Sequence, residues 1–339
     1  MRHNEDKTQP GLGGAVIYPA DKSYGIYDAF IQDEIALKDS LKLTLGTKFE
    51  HSNYTGWESL PNLRMSWLPN DKETYWGAVS KGIRTPNRID SGAESLVEVD
   101  RPGEGYNPAS NPFNLGIAIS SKPELDQNEV VHAYELGYRK QVADNLTLDA
   151  TTFYNKYYNG VTREALPPEC APSGNTVPFC DPNDYVRLEF VTEHNLDGHS
   201  SGFEIATEWH NDDGWTADFA YSYVNLLLHY THNSTDTTRK KAEEDSAPMH
   251  QASLLISKEW NSWRLDGWLR YAGEMRYTHV NRYTQFDLQL TKTLRPHLNL
   301  ALAGRNLAAS RTLEYIESFL PSANTEIPRS VYAKLTWEF

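Results

Sequence analysis

The sequence predicts an all-β protein and, more narrowly, an antiparallel transmembrane β-barrel. Apolar and polar residues alternate with a period of two along thirteen segments, which is typical of strands with two different faces. Short and long connections alternate between these segments, as in barrels that have turns at one end and loops at the other. Aromatic residues reach 12% at a mean hydropathy of −0.63, which suits strands with only alternate residues facing lipid. No run approaches the roughly 20 apolar residues of a membrane helix.

The terminal segment "SVYAKLTWEF" shows the alternation most clearly, because Val331, Ala333, Leu335 and Trp337 share one face. The other segments are, in chain order, "YDAFIQDEIAL", "LKLTLGTKF", "LRMSW", "WGAVSKG", "AYELGYRK", "LTLDATTFY", "GFEIATEW", "WTADFAYSY", "QASLLISKEW", "WRLDGWLRY", "QFDLQLTKTL" and "LNLALAGRNL". The opposite, polar face would line the lumen with charges of both signs. This predicts a polar lumen wall whose opposite charges pair with one another. These polar positions are Asp28, Gln32, Glu34, Lys42, Lys48, Arg64, Asp149, Glu204, Glu208, Arg264, Asp266 and Arg270.

The connections fall into two classes that alternate along the chain. The short ones are rich in Asp, Asn, Ser or Pro and lie at 38–40, 69–73, 143–145, 211–214, 261–262 and 294–297. The long ones lie at about 52–60, 84–130, 159–184, 231–247, 276–282 and 308–329. A soluble sandwich has no reason to sort its loops by end, whereas an outer-membrane barrel has tight periplasmic turns and long external loops.

The strand count raises a problem of closure. The thirteen strands begin near Tyr24, and an odd number of antiparallel strands cannot close into a barrel. Either residues 11–18 supply a fourteenth strand or further strands lie upstream, since an open edge in lipid leaves backbone groups unsatisfied. We therefore divide the chain into an external loop or residual strand segment at 1–23 and a barrel portion at 24–339.

Charge and cysteine content limit the possible partners and indicate the cellular compartment. The net charge of −14 argues against nucleic acid, because phosphate binding needs a basic face. The start "MRHNEDKTQPGLGG" has no apolar core of a signal peptide. Cys170 and Cys180 lie in a Pro-rich segment, and their spacing is not that of a zinc or redox motif, so we expect a disulfide in an oxidising compartment.

Six segments, taken in order, carry a family resemblance: "YDAFIQDEIALKDSLKLTLGTKFE", "WGAVSKGIRTPN", "YELGYRKQVADNLTLDATTFYNKYY", "SSGFEIATEW", "FDLQLTKTLRPHLNLALAGRNL" and "PRSVYAKLTWEF". Together they resemble the barrel of TonB-dependent outer-membrane receptors. The resemblance implies a Gram-negative outer-membrane location and a barrel of about 22 strands around a plug domain. It further implies that 13–14 strands are present here, that the plug is absent, and that the chain is the C-terminal portion of such a barrel.

The resemblance also implies partners and one assembly feature. A TonB complex would act only through the missing plug, and the other partners would be outer-membrane lipid, a small metal chelate and the barrel-assembly machinery. The terminal Phe339 resembles the signal that outer-membrane proteins present to that machinery.

Candidate ligand-binding residues lie in the predicted external loops. In "GIRTPN" and just after it, Arg84, Asn87 and Arg88 stand where a strand enters the longest loop. Arginine suits a planar anionic chelate, although the same pattern fits a strand that Pro86 simply ends. Arg101 and Tyr106 lie further along this loop. Arg163 and the Cys170–Cys180 bridge would hold a ligand-facing tip, or the bridge would be only a protease-resistant staple.

Other chemistry is not indicated. The eleven histidines form no cluster with three ligands at credible spacing, so no metal site is predicted. The run "KKAEED" at 240–245 is interpreted as solvated charge. No nucleophile elbow, phosphate loop or Cys–His pair occurs, and we expect neither an enzyme nor a cofactor.

The sequence therefore favours a portion of a TonB-dependent importer, with a ferric siderophore as the first candidate ligand by family analogy. Haem, cobalamin, copper chelates and sugars remain open. The alternatives are a passive outer-membrane pore or a non-functional receptor remnant and, less favoured, a soluble all-β binding protein.

Overall fold

A computed structural model describes residues 2–7, 16–17, 19–88, 92–104, 107–120, 127–231, 234–316 and 324–339. Its elements, in chain order, are β1 (Arg2–Lys7), β2 (Val16–Ile17), β3 (Asp21–Lys38), β4 (Leu41–Ser52), β5 (Gly56–Asn70), β6 (Glu73–Arg84), β7 (Ala93–Asp100), β8 (Asn114–Ser120), β9 (Glu129–Ala143), β10 (Leu146–Ala165), β11 (Glu169–Ala171), β12 (Tyr185–His210), β13 (Trp215–Tyr230), α1 (Arg239–Asp245), β14 (His250–Trp260), β15 (Trp263–Ala272), β16 (Tyr283–Arg295), β17 (Leu298–Arg305), β18 (Arg311–Tyr315), β19 (Thr325–Pro328) and β20 (Ser330–Trp337).

Fourteen of these strands form one continuous antiparallel ladder, which we call the wall. Its order is β1, β3, β4, β5, β6, β9, β10, β12, β13, β14, β15, β16, β17 and β20. The thirteen predicted strands are confirmed as β3 to β20 of this series. The chain thus forms the antiparallel sheet that the period-two pattern predicts.

The predicted sorting of short and long connections is confirmed, with one difference. Every second connection is a turn of two to four residues, such as 144–145 and 211–214. The others are longer, except that the predicted loop at 52–60 is a three-residue turn at 53–55. Strands β4 and β5 continue to Ser52 and Gly56, and Gly56 has φ +74°, a backbone conformation that favours glycine.

The two faces of the wall differ as predicted. Apolar side chains on the outward face are widely exposed, with Ile31 at 68%, Leu136 at 65% and Val331 at 67% of their maximum area. A soluble protein rarely exposes so extensive an apolar surface, whereas a transmembrane barrel needs an outward apolar band. Among the described residues, no helix has both the length and the apolar character that crossing a membrane requires.

Aromatic residues gather on the outward face beside the short turns. Trp67 stacks on Tyr75 at 5.3 Å between ring centroids, and Tyr75 contacts Tyr138 at 4.8 Å. Further along the wall, the Lys292 ammonium lies 4.2 Å from the Trp263 ring centroid. Amphipathic rings and long basic side chains suit the boundary between lipid and water, so this end of the wall has an interfacial girdle.

The opposite face is polar and largely paired. Lys42 Nζ lies 2.9 Å from Glu34 Oε1, and Arg264 Nε lies 2.8 Å from Asp266 Oδ1. A concave groove of about 830 Å³ follows this face between β3 and β9, and Arg64 and Trp76 help to line it. The pairing of opposite charges supports the predicted satisfied lumen wall.

Two edges of the wall carry fewer strand partners. In the described part of the chain, β20 pairs along one edge, with β17, and the ladder does not close onto β3. The fourteenth strand is β1, which pairs with Asp21–Ile26 at the external end of β3. The predicted fourteenth strand at 11–18 lies largely outside the described residues, and its described portion, β2, pairs with β7.

A smaller sheet lies beyond the wall at the end with the long connections. The β7–β8 hairpin from the longest loop pairs through β8 in parallel with Tyr185–Val191 of β12, and β11 pairs with the same part of β12. Five apolar residues of these strands are buried, namely Leu115, Ala118, Cys170, Ala171 and Val186. The longest loop is therefore joined to the segment between β10 and β12 by strand pairing and buries apolar side chains there.

Candidate ligand-binding rim

Those predicted ligand-binding residues that the structure describes lie at the end of the wall that carries the long connections. We call this end the rim, and define it as the end of β6, the outer parts of β10 and β12 from 159 to 197, and the described residues of 85–128 and 231–249. Strands β10 and β12 have 20 and 26 residues, far more than the 9–11 needed to cross a bilayer. Their surplus length raises the rim above the membrane.

Arg84 ends β6 and is held by an ion pair. Its Nε lies 2.8 Å from Glu129 Oε2 at the start of β9, and the Arg84 side chain remains 55% exposed. The other oxygen of Glu129 accepts a hydrogen bond from the Val161 amide at 3.1 Å. Glu129 thus links the end of β6 with the part of β10 that carries Arg163.

The neighbouring candidates differ in accessibility. Arg88 is only 8% exposed, and its guanidinium donates to the Pro19 carbonyl. Asn87 and Arg101 are exposed on the rim, and the Arg101 carbonyl accepts the Glu104 amide at 2.9 Å. Tyr106 lies outside the described residues. Arg84, Asn87 and Arg101 therefore present more side-chain surface than Arg88.

A buried carboxylate organises the outer part of β10. Glu164 accepts hydrogen bonds from Thr162 Oγ1 at 2.6 Å, Asn195 Nδ2 at 3.0 Å and Ser234 Oγ at 2.8 Å. The amide and hydroxyl of Thr235 also donate to it. Burial raises the pKa of Glu164, but these donors outweigh it and lower the pKa to about 2. The carboxylate is therefore ionised and joins β10, β12 and residues 234–235.

Asp236 forms a second set of hydrogen bonds between β10 and the segment that follows β13. Its carboxylate accepts the Arg163 amide at 2.8 Å and the Arg239 amide at 2.9 Å. The Ala165 amide donates to Thr235 Oγ1 at 2.9 Å. Burial raises the pKa of Asp236, but the backbone donors outweigh it and lower the pKa. We call Glu164, Thr235 and Asp236 the latch, because together they fix residues 234–239 against the edge of β10.

Arg163 lies beside the latch, because its amide donates to Asp236. Burial and the positive charge of Arg239 lower the pKa of Arg163, while the charges of Asp236 and Tyr277 act in the opposite direction. Two guanidinium groups are thus close together at the rim, on β10 and on the first residue of α1. The predicted solvated run at 240–245 is in fact part of this short helix, and Glu244 Oε1 accepts the Leu228 amide at 2.6 Å.

The predicted disulfide is confirmed. Cys170 and Cys180 are bonded with 5.1 Å between their Cα atoms. Near them, Ser173 Oγ donates to the Asp184 carboxylate, and the Asp181 amide donates at 2.9 Å. These hydrogen bonds, led by that of Ser173, lower the pKa of Asp184. The bridge and Asp184 fix the segment between β10 and β12.

In the described part of the chain, one group of side chains has metal-ligand geometry, namely Cys170, Cys180 and Asp184. A disulfide has no thiolate to offer, so this group does not fit a metal. Several histidines instead pack against aromatic rings. The ring centroids of His51 and Trp57 are 4.9 Å apart, and those of His250 and Tyr223 are 5.0 Å apart.

The latch was not anticipated from the sequence. Glu164 is one of 46 acidic residues, and its partners other than Thr162 lie 31 to 71 positions away in the chain. A local signal exists for Asp236, because "STDTTR" before a charged run is typical of a helix start. That signal predicts α1 but gives no information on its contact with β10.

The comparison with protein families decides the identity of the wall. Residues 3–307 match the family described as "TonB dependent receptor-like, beta-barrel". The chain belongs to the TonB-dependent receptor β-barrel family. As a member, it is a β-barrel protein of the outer membrane, in a family of receptors and transporters, and the predicted resemblance is confirmed.

Curated relatives of this TonB-dependent receptor barrel match part of the chain. The "Iron-regulated outer membrane virulence protein" of Vibrio cholerae is 28% identical over 145 residues, covering 43% of this chain and 20% of the relative. The "Probable TonB-dependent siderophore receptor PirA" of Acinetobacter baumannii is 29% identical over 132 residues, covering 39% and 17%. These matches therefore span about a fifth of each relative's length.

Solved structures show that this receptor barrel shares their fold over almost its whole length. The siderophore receptor PirA from Acinetobacter baumannii has a TM-score of 0.72 at 16% identity, covering 99% of this chain and 50% of PirA. The ferric enterobactin receptor PfeA from Pseudomonas aeruginosa has a TM-score of 0.70 at 18% identity, covering 98% and 48%. The chain thus spans about half the length of these receptors.

Proposed function

We propose that the chain forms the wall and part of the external binding surface of a TonB-dependent receptor that takes up a metal chelate, with a ferric siderophore as the first candidate. The observation that carries the proposal is the family membership together with a rim that presents several arginines. Related proteins support it, since PirA is a probable TonB-dependent siderophore receptor and PfeA is a ferric enterobactin receptor.

The chemistry of the rim supports an anionic chelate. Arginine offers several fixed donors to planar oxygen ligands, and Arg84, Arg101 and Arg163 occupy different parts of the rim. The latch sets the backbone position of Arg163 through the Asp236 carboxylate. We assign these three residues, with Asn87, Arg88 and Tyr106, to the ligand-binding surface.

The rest of the transport system would be supplied by other segments or proteins. We propose that a plug occupies the polar lumen and transmits the action of TonB, and that further strands complete the wall between β3 and β20. Backbone groups of these edges need hydrogen-bond partners in lipid. Phe339, at the end of the wall and 6.4 Å from the Trp337 ring, would be presented to the assembly machinery.

Replacing Arg163 with glutamine is expected to weaken binding of a ferric catecholate such as ferric enterobactin about tenfold, because a charge-assisted hydrogen bond to an anion is lost. Quenching of tryptophan fluorescence in the folded, membrane-inserted protein measures the affinity. The matched control is Arg295→Gln, which removes an exposed arginine beside a short turn and is expected to bind like the wild type. Equal affinities for both variants contradict the assignment of Arg163.

Two observations support alternatives, one for the ligand and one for the function. The copper transporter OprC shares the fold with a TM-score of 0.61 at 13% identity, so a copper chelate is the next ligand class to test. The polar lumen of the wall would also suit a passive pore or a receptor remnant. Steady ion conductance by the protein in a planar bilayer, without any bound chelate, favours the pore over the receptor.

A further inference from the structure

Four histidines on the outward face lie at one height above the short turns. Each lies ten positions from an outward residue next to a turn: His51 from Leu41, His132 from Val142, His199 from Trp209 and His250 from Trp260. Ten residues of strand tilted by about 45° rise about 23 Å, close to the roughly 25 Å height of the outward apolar band in such barrels. The histidines therefore mark the external boundary of that band.

Lys156 belongs to the same level, because it lies ten positions from Leu146, the first residue of β10. The strand register places it directly between two of the histidines: His132 of β9 is opposite Lys156, and Lys156 is opposite His199 of β12. Directly opposed side chains have Cβ atoms about 4.5–5.5 Å apart. We call His132, Lys156 and His199 the basic row.

Both imidazole rings of the basic row are held by tyrosines of β10. The His132 ring lies 5.4 Å from Tyr158 in an edge-on arrangement, and the His199 ring lies 5.4 Å from Tyr154. Lys156 is exposed, and within the described residues no carboxylate forms an ion pair with it. By contrast, Lys258 and Lys292 at the other end of the wall lie over Trp215 and Trp263.

The neighbouring charged residues of the basic row contact other groups. Asp197, the next outward residue of β12 above His199, accepts the Asn159 amide at 3.0 Å. Lys81, which the register places beside His132 on β6, is engaged by Glu58 at 2.9 Å. Lys156 and the two imidazole rings thus lie side by side on the outward face of the wall, at headgroup height.

We propose that the basic row is a binding site for the phosphate of a lipid headgroup in the external leaflet. Lys156 supplies the charge, the two histidines supply directional N–H donors, and the apolar band below them accepts the acyl chains. The height of the row and its position on the outward face select a membrane lipid over a soluble phosphate compound. This proposal does not depend on the identity of the transported ligand.

The test measures how much lipid the purified, folded full chain retains. The protein in neutral detergent is incubated with phosphatidic acid, or with diacylglycerol of the same acyl chains, and retained lipid is counted after gel filtration. The test variant is Lys156→Gln with His199→Gln. The matched control is Lys241→Gln with His210→Gln, which changes the same residue types in α1 and beside a short turn.

We expect the wild type and the control to retain equal phosphatidic acid and the test variant to retain at most about a third as much, with Lys156→Gln alone intermediate. We also expect weak retention of diacylglycerol by all forms and no displacement of phosphatidic acid by excess inorganic phosphate. Equal retention by test and control variants overturns the proposal, as does equal retention of the two lipids or full displacement by inorganic phosphate. Circular dichroism checks that each variant is folded, and the single variant serves if the double one is not.

Discussion

Replacing Gly202 with alanine is expected to destabilise the wall by about 3 kcal/mol, at the upper end of what overpacking costs. Gly202 lies in β12, where a Cβ atom would be 2.1 Å from the Tyr223 carbonyl oxygen and 2.6 Å from Cζ of Phe153. The carbonyl belongs to the neighbouring strand β13 and cannot move without disturbing the ladder between the two strands. Urea unfolding of the membrane-inserted protein measures the loss.

Gly267 provides the matched control, because it also lies within a wall strand, β15. A Cβ atom there would meet its nearest neighbour, a Phe286 ring carbon, at 3.7 Å, which is an ordinary contact. Gly267→Ala is therefore expected to change the unfolding free energy by less than about 0.5 kcal/mol. Equal unfolding midpoints for the two variants would falsify the close packing between β12, β13 and Phe153.

Replacing Glu164 with glutamine is expected to open the latch. The substitution keeps the shape of the side chain but removes the charge that five donors stabilise, a loss of about 2–3 kcal/mol. Residues 234–239 should then detach locally while the wall stays folded. The measurement is hydrogen exchange at the Arg163 and Ala165 amides, which donate to Asp236 and Thr235, and we expect exchange to be about 30-fold faster.

The control for the latch is Glu243→Gln in α1. Glu243 forms an ion pair with Arg239 at 2.7 Å on the surface of the helix, and such pairs contribute about 0.5 kcal/mol or less. Exchange at the two β10 amides should therefore be nearly unchanged. Comparable acceleration in both variants means that Glu164 has no special role in the latch.

The low pKa of Glu164 also predicts how the latch responds to acid. Its folded value of about 2 lies below the ordinary value of 4.5, so its stabilisation is complete above about pH 4.5 and declines as the pH falls towards 2. The difference in unfolding free energy between the wild type and Glu164→Gln should thus shrink between pH 6 and pH 3. A difference that stays constant over this range contradicts the assignment of charge to Glu164.

The wall can be predicted from the sequence because the same local pattern recurs in each strand. Each strand has one face towards lipid and one towards a polar lumen, so the alternation in "LKLTLGTKF" or "SVYAKLTWEF" reports the environment directly. The strand β1, "RHNEDK", has no apolar alternation because it pairs with β3 beyond the lipid-facing part. For that reason the period-two test does not detect it.

The rim could be predicted only in part, because its structure depends on distant contacts. The Cys170–Cys180 bridge follows from composition and compartment, whereas the parallel pairing of β8 with β12 joins segments about 70 residues apart. The basic row has a signal in the sequence, namely the ten-residue spacing of its histidines from residues beside the turns. That these residues lie side by side follows only from the register between β9, β10 and β12. Pairing register and side-chain hydrogen bonds are tertiary properties that local patterns do not fix.

The orientation of the wall in the outer membrane is tested most directly by labelling single cysteines in intact cells with a membrane-impermeant maleimide. Ser246→Cys lies in a long connection after α1, and Asp212→Cys lies in the short turn between β12 and β13. We predict that Ser246→Cys reacts in intact cells and that Asp212→Cys reacts only after the outer membrane is permeabilised. Equal reaction of the two positions in intact cells, or reaction of Asp212→Cys alone, contradicts a receptor wall whose long connections face the exterior.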